Sequence, residues 1–192
     1  DDMGNEVASY PCDDFAANIF HSYVSIQSVA PNFSLGRLCV NSLSEANVCV
    51  DKIIEYESPS NNGFWKTHNM YVADDGWRPN GGNDGNEFTE ESESIAQLYT
   101  AKFFEKQNIY IAAYPTVMTA AGRRKPQANI DIINGWNEGR LLIGYIGHGS
   151  TDLWAHEHIF VREESIPQLN NKGKYTFLTI ASCDLARLDD PF

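Results

Sequence analysis

The chain is poor in basic side chains, in cysteine and in long apolar runs, and each shortage closes off a class of function. Only 14 lysines and arginines stand against 26 aspartates and glutamates, a net charge of -12. A surface of that sign repels phosphate backbones and anionic lipid, so nucleic acid is not an expected partner. No apolar stretch approaches the roughly 18 residues that read as a membrane span, so this segment is not expected to insert into a bilayer. The four cysteines, Cys12, Cys39, Cys49 and Cys183, contain no C-x-x-C spacing, which argues against a zinc ribbon or a thioredoxin-type site. Cys39 in "GRLCV" and Cys49 on the inner face of the next helix read as small buried hydrophobes, with a disulfide as the alternative. No glycine-rich phosphate loop follows the first strand, which disfavours a flavodoxin-like binding domain. No secretory leader is present. The ends "DDMGNE" and "DDPF" read as cuts in a longer protein, so the missing leader leaves export open.

What is present is ordinary globular material: 192 residues, 42% hydrophobic and 12% aromatic, enough for one well-buried domain and part of a second. "FSLGRLCV" reads as a strand. "NSLSEANVCVDKIIEYES" reads as a helix with a Ser42/Glu45 capping box and an apolar stripe of Ala46, Cys49, Val50, Ile53 and Ile54. "NMYVADDGW" is a short strand ending in two aspartates, followed by an exposed Gly/Asn/Asp-rich loop. "ESIAQLYTAKFFEK" has helical spacing, and "NIYIAAYP" is a strand. "QANIDIINGWNEG" is a helix with Ile132, Ile133 and Trp136 inward and Gly139 closing it. "LLIGYIG" and "YTFLTIASC" are strands. Alternating strands and helices predict an α/β fold whose mostly parallel sheet carries helices on its faces, and the continuous apolar strands agree. Ligands of such sheets sit beyond the carboxyl ends of the strands. Asp74, Asp75, His148 and Cys183 are the residues expected there.

Two of those residues make a chemical pair. A thiol attacks as its thiolate, whose free pKa lies near ~8.5, and needs a base; a histidine near ~6.5 is the natural one. Parallel neighbours lie about 4.8 Å apart, so residues just past two strand ends can bring an imidazole and a thiol to one substrate bond. The glycines around His148 fit the same chemistry. Acyl transfer needs backbone N–H groups aimed at the developing oxyanion, with no Cβ in the way. Gly149 and Cys183 are the candidate donors.

The paired stretches "YIGHGSTDLWAHE" and "TFLTIASCDLARLDDP" resemble the signature of gingipain-type cysteine peptidases, members of the caspase-like clan. "LGRLCVNSLSEANVCVDKIIEYE" and "YVADDGW" are similar to the family's link between subdomains and the strand after it. The resemblance implies a three-layer caspase-like (flavodoxin-like) fold. Residues 1–41 would be the end of a preceding subdomain and a linker. Residues 42–192 would be the catalytic subdomain, cut shortly after the cysteine. It implies His148 as general base and acid, Cys183 as nucleophile, and Gly149 and Cys183 as oxyanion-hole donors. The carboxylate oriented toward the imidazole would be Asp75, with Asp74 the poorer fit. A protein or peptide would be the substrate. An acidic pocket residue for cleavage after arginine or lysine has no secure counterpart among Glu87, Glu90 and Glu91.

The flanks "LWAHEHIF" and "CDLARLDDP" look more like the PorU-like sortases of the type IX secretion system in Bacteroidetes. That implies removal of carboxyl-terminal sorting signals at the outer-membrane surface or outside a Gram-negative cell, with other secretion components as partners. A secreted gingipain-like protease and a non-catalytic caspase-like scaffold are the competing readings.

Other features have plain readings. His156 and His158 of "HEH" read as surface residues rather than metal ligands, and His21 and His68 as structural. Trp154 reads as packing beneath the active-site loop, with substrate binding the sharper alternative. The oxygen-rich loop from Asp74 to Glu91 is a candidate for structural calcium, without EF-hand spacing; no other cofactor is expected.

Overall fold

The computed structural model describes Ala17, residues 32–183 and Leu185; Cys12 and His21 lie outside those residues. The described residues fall into two compact units, residues up to Asp51 in one and Lys52–Leu185 in the other. Helix α1 (Leu43–Glu57) is the first regular element. Its expected capping box is made: Glu45 N–H donates to Ser42 Oγ at 3.2 Å, and Asn41 N–H donates to the Glu45 carboxylate at 2.6 Å. The expected inward stripe is not: no residue of α1 is buried, and Ile54 is 63% exposed. Amphipathic spacing states a demand for a partner, and the helix forms without having it met. "FSLGRLCV" likewise forms no strand, and most of it is exposed, because a β-prone run becomes a strand only beside an edge that accepts its hydrogen bonds. Cys39 is exposed, Cys49 is half-buried, and both are free thiols, neither buried hydrophobes nor a disulfide.

The second unit contains a four-stranded parallel sheet. Strands β1 (His68–Ala73), β2 (Glu105–Tyr110), β5 (Leu142–Ile146) and β8 (Phe177–Ala181) stand in the order β2-β1-β5-β8. Helix α2 (Glu87–Ser94) begins with Glu87 and Glu90 at its positive end and runs on as a π-helical turn, Ile95–Tyr99. The helical spacing through Phe103 is overridden at Thr100. That residue is extended, and its hydroxyl hydrogen-bonds both the Ile95 carbonyl and Tyr71 Oη. The chain then pairs all six residues of β2 with β1, and Leu98, Tyr99 and Phe103 are left exposed. A hairpin of β3 (Val117–Thr119) and β4 (Gly122–Arg124) precedes helix α3 (Pro126–Glu138), which Gly139 ends at φ 97°. A two-residue hairpin, β6 (Leu153–Trp154) with β7 (Phe160–Val161), and the short helix α4 (Arg162–Ser165) lie between β5 and β8.

Strand alternation sorts the sheet's two faces. Met70, Val72, Ile109, Ile143 and Tyr145 face α3, where they pack with Ala128, Ile132, Trp136, Trp154 and Phe160. Tyr71 points the other way, toward the end of α2, where its hydroxyl meets that of Thr100. The result is the three-layer α/β architecture expected, with the mostly parallel sheet between helices. No helix among the described residues is long and apolar enough to cross a membrane.

Ile132 is fully buried in the core cluster. Its truncation in Ile132→Ala is expected to lower the unfolding free energy by about 2–5 kcal/mol, read as a reduced urea midpoint with an unchanged slope.

Candidate active site

The register of two strands positions the site. In the β5–β8 pair Ile146 lies opposite Ala181, and Gly147 N–H donates to the Ala181 carbonyl at 3.2 Å. His148 and Cys183 each follow two residues past that last pair, so both leave the sheet at the same edge. Cys183 is exposed. The two turns are in direct contact: a Cβ on Gly149 would overlap the Ser182 hydroxyl and come within 3.0 Å of Leu185. Gly149 is also a non-hydrogen-bonded partner in its bridge with Trp154, which is closed by Ala155 N–H to the His148 carbonyl and Ser150 N–H to the Leu153 carbonyl. The bridge therefore leaves the Gly149 N–H unused.

His148 is clamped through its backbone. Asp74, at the end of β1 and 1% exposed, accepts the His148 N–H at 3.0 Å and the Asp75 N–H at 2.7 Å. Burial raises the Asp74 carboxyl above its ordinary value even though these N–H groups favour the charge. The His148 carbonyl takes Tyr145 Oη at 2.5 Å as well as the Ala155 N–H. Gly147 makes this possible, since a Cβ there would overlap Asp74 Cβ and lie 2.8 Å from the Tyr145 oxygen.

The carboxylate on the imidazole is Asp84. Its Oδ2 accepts His148 Nε2 at 2.7 Å and Arg78 Nε at 2.8 Å, and its Oδ1 takes Arg78 Nη2 at 2.5 Å. The forked Arg78 contact, and then His148, hold Asp84 below the usual carboxylate range. With Nε2–H donated to Asp84, the neutral ring keeps its lone pair on Nδ1. Phe88 meets the ring edge-on at 5.2 Å and His156 lies tilted against it at 5.0 Å.

Asp75, expected at the imidazole, is turned elsewhere. Its carboxylate accepts the Trp77 N–H at 3.1 Å and ion-pairs with Arg123 and, at 3.1 Å, with Lys125. Burial pushes its carboxyl up, but Trp77 N–H, Lys125 and Arg123 outweigh that and hold it low. The loop between the two aspartates is not the loose, fully exposed segment its composition implies. Arg78 N–H to Gly82, Gly81 N–H to Arg78 and Asp84 N–H to Gly76 strap it into a hairpin. Gly76, at φ 71°, sits where a Cβ would lie 2.7 Å from the Gly85 carbonyl.

The "HEH" segment is not a surface feature either. Glu157 is 1% exposed and His156 rests on His148. His68 is structural, its Nδ1 2.7 Å from the Phe64 carbonyl. Glu87, Glu90 and Glu91 are all exposed on α2; the α2 side chain that reaches the imidazole is Phe88. Trp154 is 3% exposed and stacked on Tyr145 at 4.5 Å. It also lines an apolar cavity of about 320 Å³ with Trp136, Phe160, Leu178, Ile180 and Leu185. Among the described residues one group has metal-compatible spacing, Asp74, Asp75 and Glu157. Asp84, Arg78, Phe88 and Glu157 carried no signal that an isolated sequence displays, apart from the paired Asp-Gly steps that bracket the hairpin.

The chain is similar to known proteins in family and in fold. A family description, peptidase family C25, matches residues 3–192. The crystal structure of the Arg-specific cysteine proteinase gingipain R superposes with a TM-score of 0.61 at 21% identity, over 80% of this chain and 32% of that one. The complex of Porphyromonas gingivalis RgpB pro- and mature domains gives 0.52 at 20% identity, over 75% and 31%. The chain thus spans about a third of the length of the solved structures it matches. No curated protein sequence matches it.

Gly147→Ala is expected to cost about 1–3 kcal/mol through overpacking. In urea unfolding its midpoint falls, whereas Gly36→Ala, where nothing lies within 4 Å of a new Cβ, leaves the midpoint unchanged.

Proposed function

The chain belongs to peptidase family C25, and from that premise we propose that the protein is a cysteine endopeptidase working through Cys183 and His148. The observation that carries this reading is the parallel β5–β8 register, which delivers both residues to one edge with the thiol open to solvent. Nδ1 of His148 takes the thiol proton, and the thiolate attacks the scissile carbonyl. The N–H groups of Gly149 and Cys183 receive the oxyanion as the tetrahedral intermediate forms. The proton returns from His148 to the departing amine, leaving a thioester. Water or an incoming amine then releases the acyl group. Asp84 fixes the tautomer and steadies the imidazolium. Asp75, the residue the family resemblance suggests for that role, is paired instead with Arg123 and Lys125.

The finer assignment is a type IX secretion sortase that removes carboxyl-terminal signals from exported proteins at the surface of a Gram-negative cell. It is supported by the flanking stretches "LWAHEHIF" and "CDLARLDDP". Gingipain R is arginine-specific. Here an aromatic, Phe88, and not one of the exposed α2 glutamates, stands beside the imidazole, which favours a different specificity. Trp154 would contribute to substrate binding through the apolar cavity it lines. A structural calcium ion would draw on Asp74, Asp75 and Glu157, and none of the steps above requires it.

A peptide-based electrophile applied at pH 6 discriminates the peptidase from a non-catalytic scaffold. An unassisted thiol of pKa near ~8.5 is almost wholly protonated there. Cys183 is expected to be labelled and Cys39, also exposed, is not; equal labelling of the two overturns the reading. Cys183→Ala in the complete protein is expected to abolish processing with no change in unfolding. Asp84→Asn is expected to lower kcat by about 10²-fold. Asp75→Asn, which leaves the buried Lys125 charge without its partner, is expected to cost about 3–5 kcal/mol of stability instead. A larger kcat loss in Asp75→Asn with stability intact would return the orienting role to Asp75.

A further inference from the structure

The carboxylate on the imidazole is held differently from its two neighbours. Asp74 and Asp75 each accept backbone N–H groups, from Asp75 and His148 in one case and from Trp77 in the other. Asp84 accepts none. Among the described residues, its oxygens have two partners, the side chains of Arg78 and His148. Arg78 meets it with both arms of a fork, Nε on Oδ2 at 2.8 Å and Nη2 on Oδ1 at 2.5 Å. His148 Nε2 shares Oδ2 at 2.7 Å.

The hairpin that carries the pair keeps its shape without the Arg78 side chain. Backbone bonds close it, from Arg78 N–H to the Gly82 carbonyl, from Gly81 N–H to the Arg78 carbonyl, and from Asp84 N–H to the Gly76 carbonyl. Asn80 Oδ1 accepts the Gly82 N–H at 3.0 Å, and Asn83 Oδ1 accepts the Gly85 N–H at 2.6 Å. The Arg78 side chain is 43% exposed, and an ion pair that open to water adds little to stability. Gly82 keeps its path clear, since a Cβ there would stand 3.2 Å from Arg78 Cδ.

The effect of the fork is orientation. A carboxylate bonded to one imidazole alone turns easily about its Cβ–Cγ bond, where the torsional wells are broad. A planar guanidinium that occupies both oxygens removes that rotation. An ammonium group would supply the same charge as a point and leave the rotation open.

We infer that Arg78 is a positioning residue: it fixes the plane of Asp84, and through Asp84 it keeps the His148 proton on Nε2, so that Nδ1 stays the base. The consequence for catalysis rests on the proposed peptidase reading. The contact itself can be read in a protein that turns nothing over.

The test uses the complete protein with ¹⁵N-labelled histidine and Cys183→Ala, which removes the thiol that would charge the ring. At a pH where the imidazole is neutral, long-range ¹H–¹⁵N spectra report which ring nitrogen carries the proton. His148 is expected in the Nε2–H form. Adding Arg78→Lys is expected to bring the Nδ1–H form into exchange with it, at an unchanged urea midpoint. With Cys183 restored, Arg78→Lys is expected to lower kcat about 10-fold at an unchanged KM. It is expected to cost nothing further in the presence of Asp84→Asn, because the two act through one contact. A tautomer that Arg78→Lys leaves unmoved overturns the inference, as does an Nδ1–H ring before that substitution is made. A urea midpoint that falls in Arg78→Lys assigns the side chain to the loop's stability and overturns it too. An inert wild-type protein whose tautomer responds to Arg78→Lys would defeat the peptidase reading and leave the role of Arg78 standing.

Discussion

The parallel pairing of β5 with β8 is the constraint on which everything else depends. Because Ile146 stands opposite Ala181 and both strands run the same way, the residues that follow each strand emerge at one edge. Antiparallel pairing of the same two sequences would send His148 and Cys183 to opposite ends of the sheet. Parallel strands need a crossover between them, and the segment between β5 and β8 supplies more than a crossover. It folds the β6–β7 hairpin back under the His148 turn, where Trp154 stacks on Tyr145 and Tyr145 hydrogen-bonds the His148 carbonyl. The sheet sets the place of the imidazole, and the hairpin holds its backbone there.

Three aspartates near that imidazole do three different things, and only their surroundings separate them. Asp74 is buried, faces two backbone N–H groups and acts as a clamp on the chain. Asp75, one residue on, points to the cations of β4 and α3. Asp84, at the far end of a strapped loop, is open to solvent on one side, locked by the Arg78 fork, and touches the ring itself. Carboxyls of identical intrinsic acidity are thereby driven in opposite directions, up for Asp74 and down for Asp75 and Asp84. An acidic protein can concentrate that many carboxylates at one edge only because Arg78, Arg123 and Lys125, drawn from its few cations, are spent there.

Close approach is the other device. Gly147 and Gly149 are the points where the His148 turn meets Asp74 on one side and the Cys183 turn on the other, with no space for a methyl group at either. Glycine on both flanks of a histidine thus has a steric cause in this fold, independent of any demand from a substrate.

Much of this was legible in the chain alone. The apolar runs of β5 and β8, the inward stripe of α3 with its closing Gly139, and the chemistry-bearing residues after the two runs are local facts, set by residue type and period. So was the parallel α/β class, from the alternation of strands and helices, although β8, expected to be buried on both faces, is exposed along its whole length. The partners of each polar group were not legible. Whether Asp75 or Asp84 reaches the imidazole depends on the path of a ten-residue hairpin. Whether Glu157 is solvated or sealed in depends on a left-handed turn. The stripe of α1 and the helical spacing through Phe103 show the same limit from the apolar side. Period and propensity are properties of a segment, whereas burial and pairing are properties of two segments at once, and only the folded chain brings the second one near.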